Sequence, residues 1–278
     1  MTSPPQPYPG PRAEVGVIGG SGFYAFLDDA QQVEIDTPWG PPSDPLTVGE
    51  VAGRRVAFVA RHGRDHRFPP HRVNYRANLW ALRTVGVRQV LAPCAVGSLR
   101  TELGPGAVVV PDQIVDRTWG RQHTVYGETG PVVHIGLADP YCPHGRAAAV
   151  RIAGEQHLDP ADGGTLVVIN GPRFSTRAES RWHAAQGWSV VGMIGVPEAS
   201  IARELALCYT AIALVTDHDA GVETGEGVSH AEVLEVFAAN IDRLRALLLG
   251  LIPVLPAADG DCSCRHALDG ITLPFALP

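Results

Sequence analysis

The chain has 278 residues, 45% hydrophobic and 18% charged, and its 22 basic against 29 acidic residues give a formal net charge of −7. All 22 basic residues are arginine, which excludes Schiff-base chemistry, pyridoxal phosphate held through a lysine, and the lysine of a Walker phosphate loop. The mildly acidic balance argues against a nucleic-acid groove, and the longest apolar runs are far shorter than the ~20 residues of a membrane span.

Five prolines in the first eleven residues read as a flexible leader through residue 13, ahead of a single domain over 14–278. Residues 14–18 (EVGVI) predict a buried strand that runs into Gly19-Gly20-Ser21-Gly22. The N–H groups of that turn and the Ser21 hydroxyl can cradle an anion. The third glycine of a dinucleotide fingerprint is missing, and glycines also serve any tight turn.

Further short apolar runs predict strands at 56–60, 87–92, 107–110, 165–169, 189–193 and 211–215. Helices are predicted between or after them at 74–85, 145–154, 176–186, 197–208 and 229–251. The last carries an apolar stripe from Val233 to Leu248 and a capping box of Ser229 with Glu232. Strands alternating with helices predict an α/β fold with a central twisted mixed β-sheet flanked by helices. In such folds ligands sit outside the carboxyl ends of strands, and there the unusual residues of this chain fall.

Arg61-His62-Gly63-Arg64-Asp65-His66 follows the strand at 56–60 directly and reads as an anion site. The spacing of His62, His66 and His71 also admits a metal reading, without a helix or carboxylate cluster to support it; a charged surface loop is the third possibility. NGPRFS at 170–175 follows another strand and precedes a helix capped by Ser175 or Thr176, with Glu179 in the capping-box position. Phe174 there can stack on an aromatic ligand or simply lid the core. Thr216-Asp217-His218-Asp219 closes the strand at 211–215. Two carboxylates two residues apart point the same way along a strand and can raise one another's pKa, as a general acid near neutral pH requires, though such a pair also serves as metal ligands or a helix cap.

Five cysteines, an odd number, and a start without the apolar run of a signal peptide predict a reducing cytoplasm. Cys262 and Cys264 are too close for an ordinary bridge and read as unpaired thiols. The weakly patterned segment after Pro253 is expected to reach a neighbouring subunit.

With these pieces in order, the sequence resembles the trimeric purine nucleoside phosphorylases, and within them the 5′-methylthioadenosine phosphorylase branch. VGVIGGSGFY, DTPWGPPSD, ARHGRDH, VNYRANLWALR, GSLR, GPRFSTRAES and GMIGVPEASIARE carry the likeness from Val15 to Pro253. The resemblance implies a homotrimer that swaps a purine for phosphate at ribose C1′, with inorganic phosphate as co-substrate and no metal or organic cofactor. It assigns phosphate to Ser21, Arg61, His62, Cys94, Ala95 and Ile194. It places Phe174 and Met193 against base and ribose, and Asp217, His218 and Asp219 at the purine edge, with Asp217 as the acid. Ser175 takes a specificity position, while His230, Val233, His66 and His134 share the pocket for the 5′ substituent.

Three positions depart from the family pattern. Cys94 and Ile194 stand where threonines usually touch phosphate, which shifts binding to backbone N–H groups. His230 replaces a small apolar residue of the methylthio pocket and resembles the histidine with which purine nucleoside phosphorylases grip a 5′-hydroxyl. The carboxylates imply adenine as the base, since they accept from a 6-amino group and oppose a 6-oxo group. The expected reaction is therefore phosphorolysis of 5′-methylthioadenosine, with adenosine, inosine or methylthioinosine as rival substrates. A non-catalytic nucleotide or phosphate sensor on the same scaffold is the rival of another class. Some thermophilic members carry a similar Cys-x-Cys near the C-terminus.

Overall fold

A computed structural model describes residues 8–20, 28–220, 222, 227–257 and 260–278. Among them eleven strands join one mixed sheet. In chain order these are β1 (Val15–Gly19), β2 (Asp28–Val33), β3 (Leu46–Val51), β4 (Arg54–Ala60), β5 (Gln89–Ser98), β6 (Val108–Val110), β7 (Gln113–Arg117), β8 (Ala161–Asp162), β9 (Thr165–Ile169), β10 (Val190–Gly192) and β11 (Cys208–His218). Helices α1 (Tyr75–Thr84), α2 (Pro143–Glu155), α3 (Arg177–Ala185), α4 (Glu198–Glu204) and α5 (His230–Leu251) flank it. The predicted α/β architecture with a mixed sheet is the observed one.

The strand order is β2-β3-β4-β1-β5-β10-β9-β7, with β11, β6 and β8 branching from β5. Strands β4, β1, β5 and β11 run parallel to one another, so their carboxyl ends meet on one side of the molecule. All five residues of β1 are buried, as expected of a parallel strand covered on both faces. On one face Ile18, Val90 and Tyr209 pack with Leu79 and Leu82 of α1 and Ile201 of α4. On the other Val17, Leu91 and Ile212 pack with Ile152 of α2 and Leu247 of α5. The leading half of α5 is only partly covered by this core: its buried residues begin at Leu244, Phe237 packs half-buried against it, and Leu234 is exposed.

Strand β5 holds the feature that makes a site. Gln89–Leu91 pair with β1, Gly97 and Ser98 pair with β10, and the whole strand pairs with β11 on its other side. Residues 92–96 therefore face an opening between β1 and β10. Pro93 sits inside this strand, where a proline usually ends one, and the sequence prediction stops at residue 92 for that reason. Its carbonyl accepts from Arg61 Nη1 at 3.2 Å, so its edge faces the opening and its missing N–H costs no ladder bond. By the alternation of the strand, the Ala95 N–H points to the same side.

Four strands escape the sequence reading, β2, β3, β7 and β8. β2 (DDAQQV) and β7 (exposed or half-buried throughout) lie at the sheet's two edges, where polar residues guard against edge pairing and erase the apolar signature. The predicted helix at 197–208 is shorter, because Cys208 already begins β11. The last six residues of the leader are held to the body: Tyr8 packs against the core, and the Ala13 N–H donates to the Val85 carbonyl at 2.9 Å. The segment after Pro253 folds onto its own chain, with Phe275 stacked on Tyr126 at 5.2 Å and edge-on to Trp80 at 5.7 Å.

Candidate active site

A cavity of about 730 Å³ opens where the sheet parts, at the carboxyl ends of β1, β4 and β11 and under the leading half of α5. Gly20 and Arg61-His62 line it, followed by Pro93–Gly97, the 172–175 loop, and Met193 with Ile194 after β10. Thr216, Asp217 and Asp219 close it at the end of β11, and His230, Val233, Leu234, Phe237 and Ala238 roof it from α5.

Of the residues expected at phosphate, Arg61, His62, Cys94, Ala95 and Ile194 meet in this cavity, and Ser21 lies outside the described residues. Arg61 is almost wholly spoken for. Its Nε and Nη2 donate to the Glu198 carboxylate at 2.5 and 3.1 Å, Nη2 also to the Ile18 carbonyl at 2.8 Å, and Nη1 to Pro93. Burial alone would lower its pKa, but the Glu198 charge outweighs this and raises it, so Arg61 stays a cation with one N–H left for a ligand. Glu198 in turn accepts from the Tyr209 hydroxyl at 2.8 Å.

His62 Nδ1 faces the Phe68 carbonyl at 2.8 Å; a carbonyl only accepts, so Nδ1 carries the proton. Burial, and then the Arg61 charge, lower the His62 pKa to about 4, so the ring is neutral near pH 7 and its Nε2 is an acceptor. His66 stacks on it with ring centres 4.5 Å apart. Burial pushes the Cys94 thiol up to about 12, and it therefore meets an anion as a neutral S–H. Ile194 and Ala95 offer only backbone groups, as their side chains require.

Phe174 and Met193 also line the cavity. The loop bearing Phe174 is pinned by α3, where Thr176, and not Ser175, is the cap: Thr176 Oγ1 accepts from the Glu179 N–H at 3.2 Å and Glu179 accepts from the Thr176 N–H at 2.7 Å. The Arg173 guanidinium grips the same Glu179 at 2.7 and 2.8 Å. Ser175 is left facing the cavity, with a buried hydroxyl that has no partner among the described residues. Arg121 ties this loop to the segment after β10, donating to the carbonyls of Asn170 at 2.9 Å, Met193 at 2.8 Å and Val196 at 2.5 Å.

Asp217 and Asp219 share the cavity, as their spacing predicts, although a bulge interrupts the β11 ladder between Val215 and Asp217. Burial chiefly, and the nearby Asp219 charge as well, raise the Asp217 pKa to about 6, against the hydrogen bond from Thr216 Oγ1 at 2.7 Å. Asp219 is buried and held by the Ser180 hydroxyl at 2.5 Å. Gly97 makes room for the pair, since a Cβ there would lie 2.9 Å from Asp217 Oδ1 and 3.3 Å from Asp219 Cβ.

Two predicted residues are not brought to the cavity. His218 falls between the two aspartates, on the strand's opposite side, and does not line it. His134 sits in the irregular segment between β7 and α2, outside the cavity. His66, His230 and Val233 do line it. Sequence reasoning assigned no role to Glu198, Thr216, Ser180 and Arg121, which position the groups it found. The only local signal is an acidic residue in the first turn of α4, a place where the helix dipole favours it.

The sequence pattern of the phosphorylase superfamily matches residues 14–253. A purine nucleoside phosphorylase of Streptomyces coelicolor is 64% identical over 275 residues, covering 96% of this chain and 98% of the relative. An S-methyl-5′-thioadenosine phosphorylase of Mycolicibacterium smegmatis is 55% identical over 267 residues, with 95% and 99% covered. Among solved structures, a methylthioadenosine phosphorylase from an Antarctic soil metagenomic library superposes with a TM-score of 0.88 at 36% identity, covering 94% of this chain and 93% of that one. One from Schistosoma mansoni, in complex with adenine, gives 0.83 at 39% identity, with 87% and 92% covered.

Proposed function

Because the chain belongs to the phosphorylase superfamily, we propose that it catalyses the reversible phosphorolysis of 5′-methylthioadenosine to adenine and 5-methylthioribose 1-phosphate. One observation carries this reading: a half-buried carboxyl raised to about 6, Asp217, stands in the same cavity as an anion pocket made of Arg61, His62 and the edge of β5.

Phosphate lies beneath the ribose. The remaining Arg61 N–H and the Ala95 and Ile194 backbone hold it, and the neutral Cys94 thiol adds a weak donor. The acceptor Nε2 of His62 suits the hydroxyl that hydrogen phosphate keeps near neutral pH. The glycosidic bond breaks with cationic character at C1′, which the phosphate anion stabilises before one of its oxygens forms the new C1′–O bond. The electron pair of the broken bond goes to the purine, and Asp217 delivers a proton to N7, so that a neutral base departs. In the reverse direction the carboxylate takes that proton back. Phe174 and Met193 sandwich base and sugar, and the carboxylate pair accepts from the 6-amino group of adenine.

Inorganic phosphate is the co-substrate, and the chemistry calls for no metal or organic cofactor. We place the enzyme in the cytoplasm as a homotrimer, acting on a small nucleoside and not on nucleic acid or membrane. No helix among the described residues is long and apolar enough to cross a membrane.

A second reading has one observation in its favour. His230, at the start of α5, lines the roof of the cavity, and an imidazole there can hydrogen-bond a 5′-hydroxyl, as a purine nucleoside phosphorylase acting on adenosine, inosine or methylthioinosine needs. The test is phosphate-dependent loss of 5′-methylthioadenosine, adenosine, inosine and methylthioinosine measured side by side. Methylthioadenosine is expected to lead. A preference for inosine over it by even tenfold, ~1.4 kcal/mol, overturns the first reading, and no turnover of any of them favours a sensor.

A further inference from the structure

Away from this cavity, at the opposite end of β11 from Asp217, four cysteines converge. Cys142 is the N-cap of α2, Cys208 opens β11, and Cys262 and Cys264 bracket one residue of the C-terminal segment. All four are buried, and none is bridged. Their sulfurs lie within 4.8 Å of one another, and this is the only group of three or more metal-type ligands that converges among the described residues. The histidines at 62, 66 and 71 do not form such a group.

We propose that these four thiols form a structural zinc site, a closed four-cysteine tetrahedron that fastens the C-terminal segment to the body of the enzyme. A zinc–sulfur bond of about 2.3 Å sets the sulfur–sulfur edge of a tetrahedron at about 3.8 Å. The Cys142 and Cys262 sulfurs are 3.7 Å apart. The longest separation in the group exceeds the ideal edge by no more than about 1 Å, which side-chain rotation closes. That spacing is also far beyond the ~2.05 Å of a disulfide.

The surroundings suit thiolates. Binding one zinc(II) ion releases four thiol protons and leaves a centre of net charge −2, which a buried site must offset. The Gly145 N–H, at the positive end of the 13-residue α2, donates to Cys142 Sγ at 3.4 Å. The Arg203 guanidinium lies 4.0 Å from Cys264 Sγ, anchored to the Asp139 carbonyl at 2.6 Å. Soft thiolates select zinc over harder cations, and four protein ligands leave no open position for chemistry. The metal would thus be structural, and the proposal stands whether or not the phosphorolysis reading does.

The test is the metal content of the full-length protein, grown with zinc and purified without chelator. About one zinc per chain is expected by mass spectrometry of the metal. A mercurial should release it as the thiols are titrated, and all five cysteines should react once the protein is unfolded in chelator. Replacing zinc with cobalt(II) should give the thiolate-to-metal charge-transfer bands of a tetrahedral sulfur site. Protein that holds no zinc after supplementation overturns the proposal. So does an unfolded chain with one reactive thiol, which would mean two disulfides, and so does a Cys262→Ser/Cys264→Ser variant that keeps a full equivalent of zinc. If that variant does not fold, the mercurial titration of the native protein decides alone.

Discussion

At the scale of single residues, Asp217 is where burial becomes chemistry. An aspartate with an ordinary pKa near 3.9 is almost never protonated at pH 7, whereas at about 6 a tenth or so of it still is. Since the acid form is the one that donates, its fraction falls as pH rises through that value. The rate of nucleoside cleavage should fall along an alkaline limb with an apparent pKa near 6, traced by kcat/KM against pH. Asp217→Asn should lower kcat by about 10²–10³ and flatten that limb, while phosphate binding measured by calorimetry stays close to wild type; unimpaired turnover would remove Asp217 from the role of acid. Glu198 poses the converse problem, a charge whose only task is to steady another. It and Arg61 are 1% and 2% exposed, so Glu198→Gln leaves a buried cation uncompensated and should cost about 3–5 kcal/mol in denaturant unfolding. A loss below about 1 kcal/mol would mean that the pair contributes little. Asp217, Arg61 and His62 were legible in the sequence because each follows a recognisable apolar run. Glu198 was not, because its partner lies 137 residues away and no local pattern records that meeting.

Secondary-structure elements show the same division. The buried strands β1, β4 and β9 announce themselves as apolar runs, and Ser229 with Glu232 marks the start of α5 where the structure has it. Edge strands β2 and β7 stay hidden, since polar composition serves their position. β5 is the instructive case: the proline that by pattern should end it lies on the side where no neighbouring strand asks for an N–H. Further along the same strand, Gly97 is the position at which sheet and site are least separable. Gly97→Ala should push the Asp217 carboxylate aside, because the new methyl would stand 2.9 Å from its oxygen. A misplacement of this order should lower kcat about 10²-fold with the thermal midpoint little changed, measured by steady-state kinetics beside calorimetry. Wild-type turnover in a folded variant would show that the glycine is there for the backbone alone.

For the whole molecule, the proposed trimer predicts a particle of three times the 29.5 kDa chain in light scattering coupled to size-exclusion chromatography, and a stable mass of one chain would refute it. The trimer is expected from family likeness alone, since surface residues carry no periodic signal of who covers them. More of the site is legible: most of the residues expected from the sequence line one cavity, while His134 lies on an irregular connection outside it and His218 on the opposite side of its strand. That cavity is a place where the middle of β5 has a neighbour on one side only. Its roof, the leading turns of α5, carries few of the contacts that keep the sheet together, so substitutions there can be tried by mutation and selection at small cost to folding. A lineage could thus exchange a methylthio group for a hydroxyl, or one purine for another, by drift around an unpaired edge, with the rest of the sheet left as an inert chassis. The same chain would then be a favourable starting point for directed evolution toward unnatural nucleosides.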